Sequence, residues 1–402
     1  MSDSRSTFSS LRHRNFRLYF FTQLISNSGN WLTNVALTLL VLKLVGTGVS
    51  VGLLVACQYG PIFFLTAWGG AISDRVDKRK GLLLTQTLEM SQSCALAILA
   101  FMHHPALNAI YLVALCGGVL LAFDNPLRRS FVSEMVGPDD IPNAVIMYSA
   151  IVNFSRVVGP LIAGLLAQTV GYGWCFTVDA ISYAFVIAGI AAMRPADLFR
   201  TPSSKSRKGA IREGIRYIAG QRALLITFAI LAIIGIFSYN FTVTFPLFTK
   251  DALHRSPHIF TEIYAIYGLG SIASVWLAAK RQLVKLRDIV LGSFALGVSI
   301  LFLGLSRTLW LALIAAFLVG VSSMLVTTAA TTFIQVEADS ALRGRVLSLQ
   351  MVVVVGSVPI GGPLMGWVAD HHGGRAPLII GGIAALVAGI LGKFLNRSAK
   401  QD

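Results

Sequence analysis

The stretch Gly70-Ala71-Ile72-Ser73-Asp74-Arg75-Val76-Asp77-Lys78-Arg79-Lys80 decides how this 402-residue chain is read, because it separates two apolar runs, Val51 to Ser73 and Gly81 to Met102. A hydrocarbon core of about 30 Å takes about 20 apolar residues in a helix, and both runs meet that length. The charged stretch is therefore a loop between two membrane helices. Working outward, the apolar runs give twelve spans: Phe16 to Leu42, Val51 to Ile72, Gly81 to Met102, Leu107 to Phe123, Val145 to Val170, Trp174 to Met193, Leu224 to Phe248, Phe260 to Ala279, Ile289 to Leu305, Leu309 to Thr331, Val346 to Ala369 and Pro377 to Leu395. Hydrophobic residues make up 55% and charged residues 13%, which excludes an ordinary soluble domain and predicts an all-α integral membrane protein in the lipid bilayer.

The net charge of +15 raises the question of nucleic acid, and the position of the charges answers it. With both termini cytoplasmic, 27 of the 33 Lys and Arg fall on the cytoplasmic side, counting Arg128 and Arg129 in the loop after the fourth span. Lys43, Lys250, Arg255, Arg307 and Arg375 fall on the other side, and Arg156 lies inside a span. This is the positive-inside pattern of a cell-membrane protein, so the charge sets topology and predicts no nucleic-acid partner. No cleavable signal is expected, since the first apolar run is long and carries Asn27, Asn30 and Asn34. Cys57, Cys94, Cys116 and Cys175 all fall within spans and read as small apolar residues. Six of the seven histidines lie near outer ends without a ligand spacing, so no metal is expected.

The longest polar segment, Arg194 to Arg222, separates six spans from six and predicts a linker between an N-terminal half over 1–193 and a C-terminal half over 223–402. The halves share a motif: Gly159-Pro160-Leu161-Ile162-Ala163-Gly164 in the fifth span matches Gly362-Pro363-Leu364-Met365-Gly366 in the eleventh. Proline removes a helical hydrogen bond and glycine permits close approach, so Gly159, Pro160, Gly362 and Pro363 predict bent, tightly packed helices.

The pattern Gly-x-x-x-Asp-Arg-x-x-basic-basic resembles the signature loop between helices 2 and 3 of the major facilitator superfamily, with Asp77 where that signature carries glycine. Ser155 to Gly164 looks like the fifth-helix motif associated with exporters there. Leu121-Ala122-Phe123-Asp124-Asn125-Pro126-Leu127-Arg128-Arg129-Ser130-Phe131, with Pro142-Asn143-Ala144, is similar to the loop after helix 4 in the bacterial drug and siderophore efflux subgroup, which includes the enterobactin exporter and macrolide and tetracycline pumps. Phe176 to Tyr183 is similar to that subgroup as well. The resemblance implies twelve helices in two six-helix halves and a cavity lined by helices 1, 4, 7 and 10. It also implies a cytoplasmic latch of Gly70, Asp74, Lys78 and Asp124, with Arg75 and Arg79 as further basic members and contact to helix 11.

Three spans carry polar stripes at helical spacing. Gln23, Asn27, Asn30 and Asn34 share one face of the first, with Trp31 beside it; the seventh carries Tyr239, Asn240 and Thr244, and the tenth Ser323, Thr327 and Thr331. Polar side chains also glue helices together in lipid, and for the hydroxyls glue and substrate cavity are equal readings. Four amides on one face are costly against lipid, so they point to a cavity for a small amphipathic substrate. Phe237, Phe241 and Phe245 form an aromatic face for which packing and stacking both account.

Ionisable groups within spans are functional candidates by default. Arg156 and Asp179 fall at one depth and predict an ion pair, whereas Glu89 has no evident partner, with Gln86 and Ser93 on its face. That makes Glu89 the first candidate for proton coupling, ahead of Asp179 and of Glu262 near the outer end of the eighth span. No Gly-x-x-x-x-Gly-Lys-Ser/Thr loop occurs and no nucleophile-base set converges, so neither a nucleotide cofactor nor an enzyme is expected. Taken with the resemblance, these residues imply a monomeric secondary exporter that exchanges a small amphipathic molecule for protons, with a proton symporter or lipid flippase of the same fold as alternatives and a polytopic membrane enzyme or receptor as the rival of another class.

Overall fold

The computed structural model describes residues 8–73, 75–199, 210–279, 284–340 and 342–398. Asp74 of the signature loop and residues 280–283 lie outside the described residues. Each of the twelve apolar runs is helical. The first six are α1 (Arg14–Val45), α2 (Gly48–Ser73), α3 (Lys78–Phe101), α4 (Leu107–Glu134), α5 (Ile141–Thr169) and α6 (Tyr172–Ala191). A short amphipathic helix, α7 (Ala210–Gly220), precedes α8 (Arg222–Phe237) and α9 (Phe241–Leu247), which together form the seventh span. Then come α10 (Phe260–Ala279), α11 (Leu286–Leu305), α12 (Leu309–Glu337), α13 (Arg343–Gly356), α14 (Val358–His372) and α15 (Ala376–Ser398). Among the described residues eleven segments are long and apolar enough to cross a membrane, and α10 is the remaining apolar run.

Local chemistry sets several boundaries. Asp77 starts α3: its carboxylate accepts the Lys80 N–H at 3.1 Å, and its φ of −63° requires no glycine. α4 runs 11 residues beyond Phe123, so the segment read as the following loop is helix despite Pro126, and Arg128 is buried rather than a loop cation. The seventh span breaks at Ser238 to Asn240 and the eleventh at Ser357. The eleventh breaks two residues before Pro359, whose ring cannot follow a helical turn, while Pro160 and Pro363 sit inside continuous helices.

The chain clusters into two compact units, one of Met1–Leu40 with Phe64–Ser206 and one of Val41–Phe63 with Arg207–Asp402, so α2 is shared between them. In the first unit, α1 is gripped on two sides. A Cβ on Gly159 of α5 would lie 2.5 Å from the Trp31 Cβ and 2.7 Å from the Ser28 carbonyl, and one on Gly29 would lie 2.5 Å from Asp179 Oδ1 of α6. A Cβ on Gly70 would meet nothing, whereas one on Gly69 would strike the Ala122 carbonyl of α4. A hydrophobic core in this unit gathers Phe16, Tyr19, Leu82, Phe131 and Ile190. The Ser10 N–H and hydroxyl both bond Asn143 Oδ1, at 3.1 and 2.6 Å, tying the N-terminal turn to the start of α5.

In the second unit the other Gly-Pro does the same work. A Cβ on Gly52 of α2 would lie 2.5 Å from the Pro363 Cα and 2.6 Å from the Gly362 carbonyl. Without hydrophobic drive between helices in lipid, such backbone contact is what holds them.

Candidate functional site

Polar side chains of α1, α3, α4, α5 and α6 converge inside the first unit on Arg128. Its Nε donates to Asp124 Oδ2 at 2.7 Å, its NH2 lies 2.5 Å from the same oxygen and 3.7 Å from Glu89 Oε2, and its NH1 donates to Gln23 Oε1 at 2.5 Å. Asp124 is completed by Thr85 Oγ1 at 2.7 Å and Gln86 Nε2 at 3.0 Å, and the same amide nitrogen reaches Glu89 Oε2 at 2.9 Å. Tyr148 of α5 lies close enough to Arg128 to feel its charge. The charged groups and their amide partners are withdrawn from solvent, Asp124 and Gln23 at 0%, Glu89 at 3% and Arg128 at 6%. Buried charges persist only when paired and hydrogen-bonded. Here one guanidinium faces two carboxylates, one held closely and one loosely.

The amide stripe of α1 is wired into this cluster at two points. Asn27 Nδ2 donates to Gln23 Oε1 at 3.1 Å, and Gln23 accepts from Arg128. Farther along, Asn34 Nδ2 donates to Asn30 Oδ1 at 2.8 Å and Asn30 Nδ2 donates to the Tyr183 hydroxyl at 3.2 Å, with Tyr183 beside Glu89. Asn27, Asn30, Trp31 and Asn34 are partly exposed while Gln23 is sealed. One end of the stripe can therefore meet a solute and the other meets charge.

Three expectations need correction. Arg156 and Asp179 are not an ion pair: Asp179 accepts from Thr33 Oγ1 at 2.7 Å and Ser93 Oγ at 2.8 Å, and Arg156 lies over the Trp31 ring at 5.3 Å. Equal depth did not suffice because the two side chains leave their helices in different directions. Glu89 is not without a partner, because α4 continues as helix and brings Arg128 to it. Lys78 does not pair with Asp124; it meets Glu134, 10 residues farther along α4, and Arg79 caps α6 through the Ile190 and Ala191 carbonyls at 3.0 and 2.9 Å. Arg75 is exposed, and Asp74 lies outside the described residues.

In the second unit, the Tyr239 hydroxyl donates to the Ser323 carbonyl at 3.0 Å and lies 3.2 Å from Thr327 Oγ1, so helices seven and ten of the sequence reading do meet through these residues. Thr331 accepts from Gln350 Nε2 at 2.8 Å. Asn240 Oδ1 and Thr244 Oγ1 are buried with no partner among the described residues. Phe241 and Phe245 pack on Tyr264 and Tyr267 with ring centroids 4.9 to 5.9 Å apart, so for these two the aromatic face is packing. His258 stands before α10, where burial and the nearby Lys43 ammonium push its imidazole below its usual range.

The sequence reading missed Arg128, Gln86, Thr85 and Tyr183 as site members. The spacing of Asp124 and Arg128, one helical turn apart, was the available signal.

A family model described as transmembrane secretion effector matches residues 5–401. The chain therefore belongs to the transmembrane secretion effector family of the major facilitator superfamily. It is a multi-pass secondary transporter that exports small molecules, and not an enzyme. Similar proteins include the staphyloferrin A transporter of Staphylococcus aureus, 25% identical over 96% of this chain and 97% of that protein. The multidrug efflux pump Tap of Mycolicibacterium fortuitum is 24% identical over 96% of each. The enterobactin exporter EntS of Shigella flexneri is 24% identical over 94% of this chain and 91% of its own. Among solved structures, the POT family transporter PepTSo superposes with a TM-score of 0.79 at 14% identity over 97% of this chain and 99% of its own, a likeness of fold.

Proposed function

We propose that this protein is a proton-driven antiporter that exports a small amphipathic molecule, of the drug or siderophore-like kind that its relatives' names describe, by alternating access. The observation that carries the reading is the shared guanidinium: Arg128 serves Asp124, Glu89 and, through Gln23, the amide stripe of α1. Glu89 is the carboxylate held more loosely, so it is the group that exchanges a proton, and Asp179, bonded among the described residues by hydroxyls alone, is a second reserve. Loss or gain of that proton redistributes Arg128 between its acceptors and so acts on α1. Substrate contacts fall to Asn27, Asn30, Trp31 and Asn34 in the first half and to Tyr239, Asn240, Thr244, Ser323 and Thr327 in the second.

The positive-inside pattern supports an inner-membrane protein with both termini cytoplasmic, built as halves 1–193 and 223–402 and active as a monomer. The loop of Gly70, Asp74, Arg75, Lys78 and Arg79 is read as a cytoplasmic latch, with Glu134 taking the acidic place expected of Asp124. The test is counterflow and gradient-driven transport in proteoliposomes, against siderophores, macrolides and tetracyclines. Glu89→Gln should retain counterflow and lose accumulation driven by a pH gradient. Gradient-driven accumulation surviving in Glu89→Gln removes Glu89 from coupling.

A further inference from the structure

Arg156 stands fifteen residues into α5 and thirteen from its end, so at 1.5 Å per residue it is about 20 Å from either helix terminus. A hydrocarbon core of about 30 Å centred on α5 would place it near the mid-plane. Its guanidinium carbon lies over the Trp31 ring at 5.3 Å, and its Nε is buried with no acceptor among the described residues. No carboxylate, hydroxyl or carbonyl among the described residues meets any of its nitrogens. An unpaired cation at mid-span is costly against lipid, so the partly exposed side of Arg156 needs water or an anion. The surroundings are polar along both helices: Ser149, Asn153 and Arg156 share one face of α5, and Asn27, Trp31 and Asn34 share one face of α1.

We propose that Arg156 and Trp31 form a subsite for the anionic group of the exported molecule, a carboxylate attached to an apolar or aromatic body. The ring holds the guanidinium from one side at 5.3 Å, and a planar two-oxygen acceptor is the partner for which arginine is most selective. The amides of α1 then serve the neutral polar groups of the same molecule. This inference rests on the export reading for the physiological role of the subsite, but not for the binding preference itself.

The test uses equilibrium binding to the purified full-length protein in nanodiscs, without a gradient, with 2-naphthylacetate and its neutral match 2-naphthylacetamide as probes. Wild type should bind the acetate at least tenfold more tightly. Arg156→Gln should bring the two within about twofold while leaving the amide's affinity in place, and Arg156→Lys should keep part of the preference. If Arg156→Gln does not fold, Trp31→Leu provides the second reading, with the preference reduced several-fold. Equal binding of the two probes by wild type, no binding of the acetate, or a preference that survives both Arg156→Gln and Trp31→Leu overturns the subsite. Counterflow of the amide in proteoliposomes is scored separately, so a transporter that exports without anion preference is told apart from a protein that binds carboxylates and does not export.

Discussion

Gln23 of α1 accepts a 2.5 Å hydrogen bond from Arg128 of α4, and it is the only member of the amide stripe bonded directly to the guanidinium among the described residues. Its own Nε2 is buried without a partner among the described residues. Gln23→Leu leaves one Arg128 N–H unpaired, at a cost of about 1–3 kcal/mol, and leaves Asn27 Nδ2 only the backbone carbonyl of residue 23, which it already meets at 3.1 Å. Gln23→Glu supplies a full carboxylate and should draw Arg128 away from Glu89. We expect Gln23→Glu to fold normally and to lose at least tenfold in gradient-driven transport, measured in proteoliposomes with counterflow as the control. Unchanged gradient-driven transport in Gln23→Glu would break the link between α1 and the charge cluster.

Arg128 and Asp124 should behave as one unit in stability. Arg128→Met leaves Asp124, at 0% exposure, without its cation, and removing one partner of such a pair costs about 3–5 kcal/mol. Adding Asp124→Leu should recover much of that loss, because two apolar side chains replace two buried charges. Thermal unfolding in detergent is the measurement, and additive losses would count against the pair.

The spans, the amide stripe and the close-packing glycines were legible because each is a one-dimensional pattern: a run of apolar residues, a period of 3.6, a repeated Gly-Pro. The charge cluster was not. Asp124-Asn125-Pro126 has the composition of a turn, and only packing on α3 lets the helix run on through Pro126 to Arg128. The error over Arg156 and Asp179 has a related cause, since rise per residue gives depth but not direction. Gly29 brings Asp179 onto α1 from one side while Gly159 brings α5 onto it beside Trp31. Which residues approach so closely depends on how the helices are rotated, and no single span encodes that.

Gly159 offers a steric test. A methyl group there would sit 2.5 Å from the Trp31 Cβ, which cannot swing aside as a flexible tip would. Gly159→Ala should cost about 1–3 kcal/mol of overpacking and Gly159→Leu should reduce folded yield severely. Size-exclusion profiles with thermal unfolding decide it, and a wild-type melting temperature for Gly159→Ala would show that α1 and α5 separate freely.

Asp370 of α14 provides the last test. Its carboxylate accepts the Gly48 N–H at 2.5 Å and the Val49 N–H at 2.9 Å, so the start of α2 is capped by a side chain more than 300 residues away in sequence. The first amides of a helix have no intrahelical acceptor and carry partial positive charge, which makes a carboxylate the favoured cap. The contact is reinforced by backbone packing: a Cβ on Gly48 would lie 2.5 Å from the Gly366 carbonyl, one turn before Asp370. Asp370→Asn keeps one acceptor and loses the charge, whereas Asp370→Ala loses both bonds, at a cost of about 1–2 kcal/mol. Hydrogen exchange at the amides of residues 48–51 should rise about tenfold in Asp370→Ala and less in Asp370→Asn, with α15 as an unaffected internal reference. If exchange at those amides is the same in Asp370→Ala as in wild type, the carboxylate does not cap α2 and the glycine contacts alone hold the two helices together.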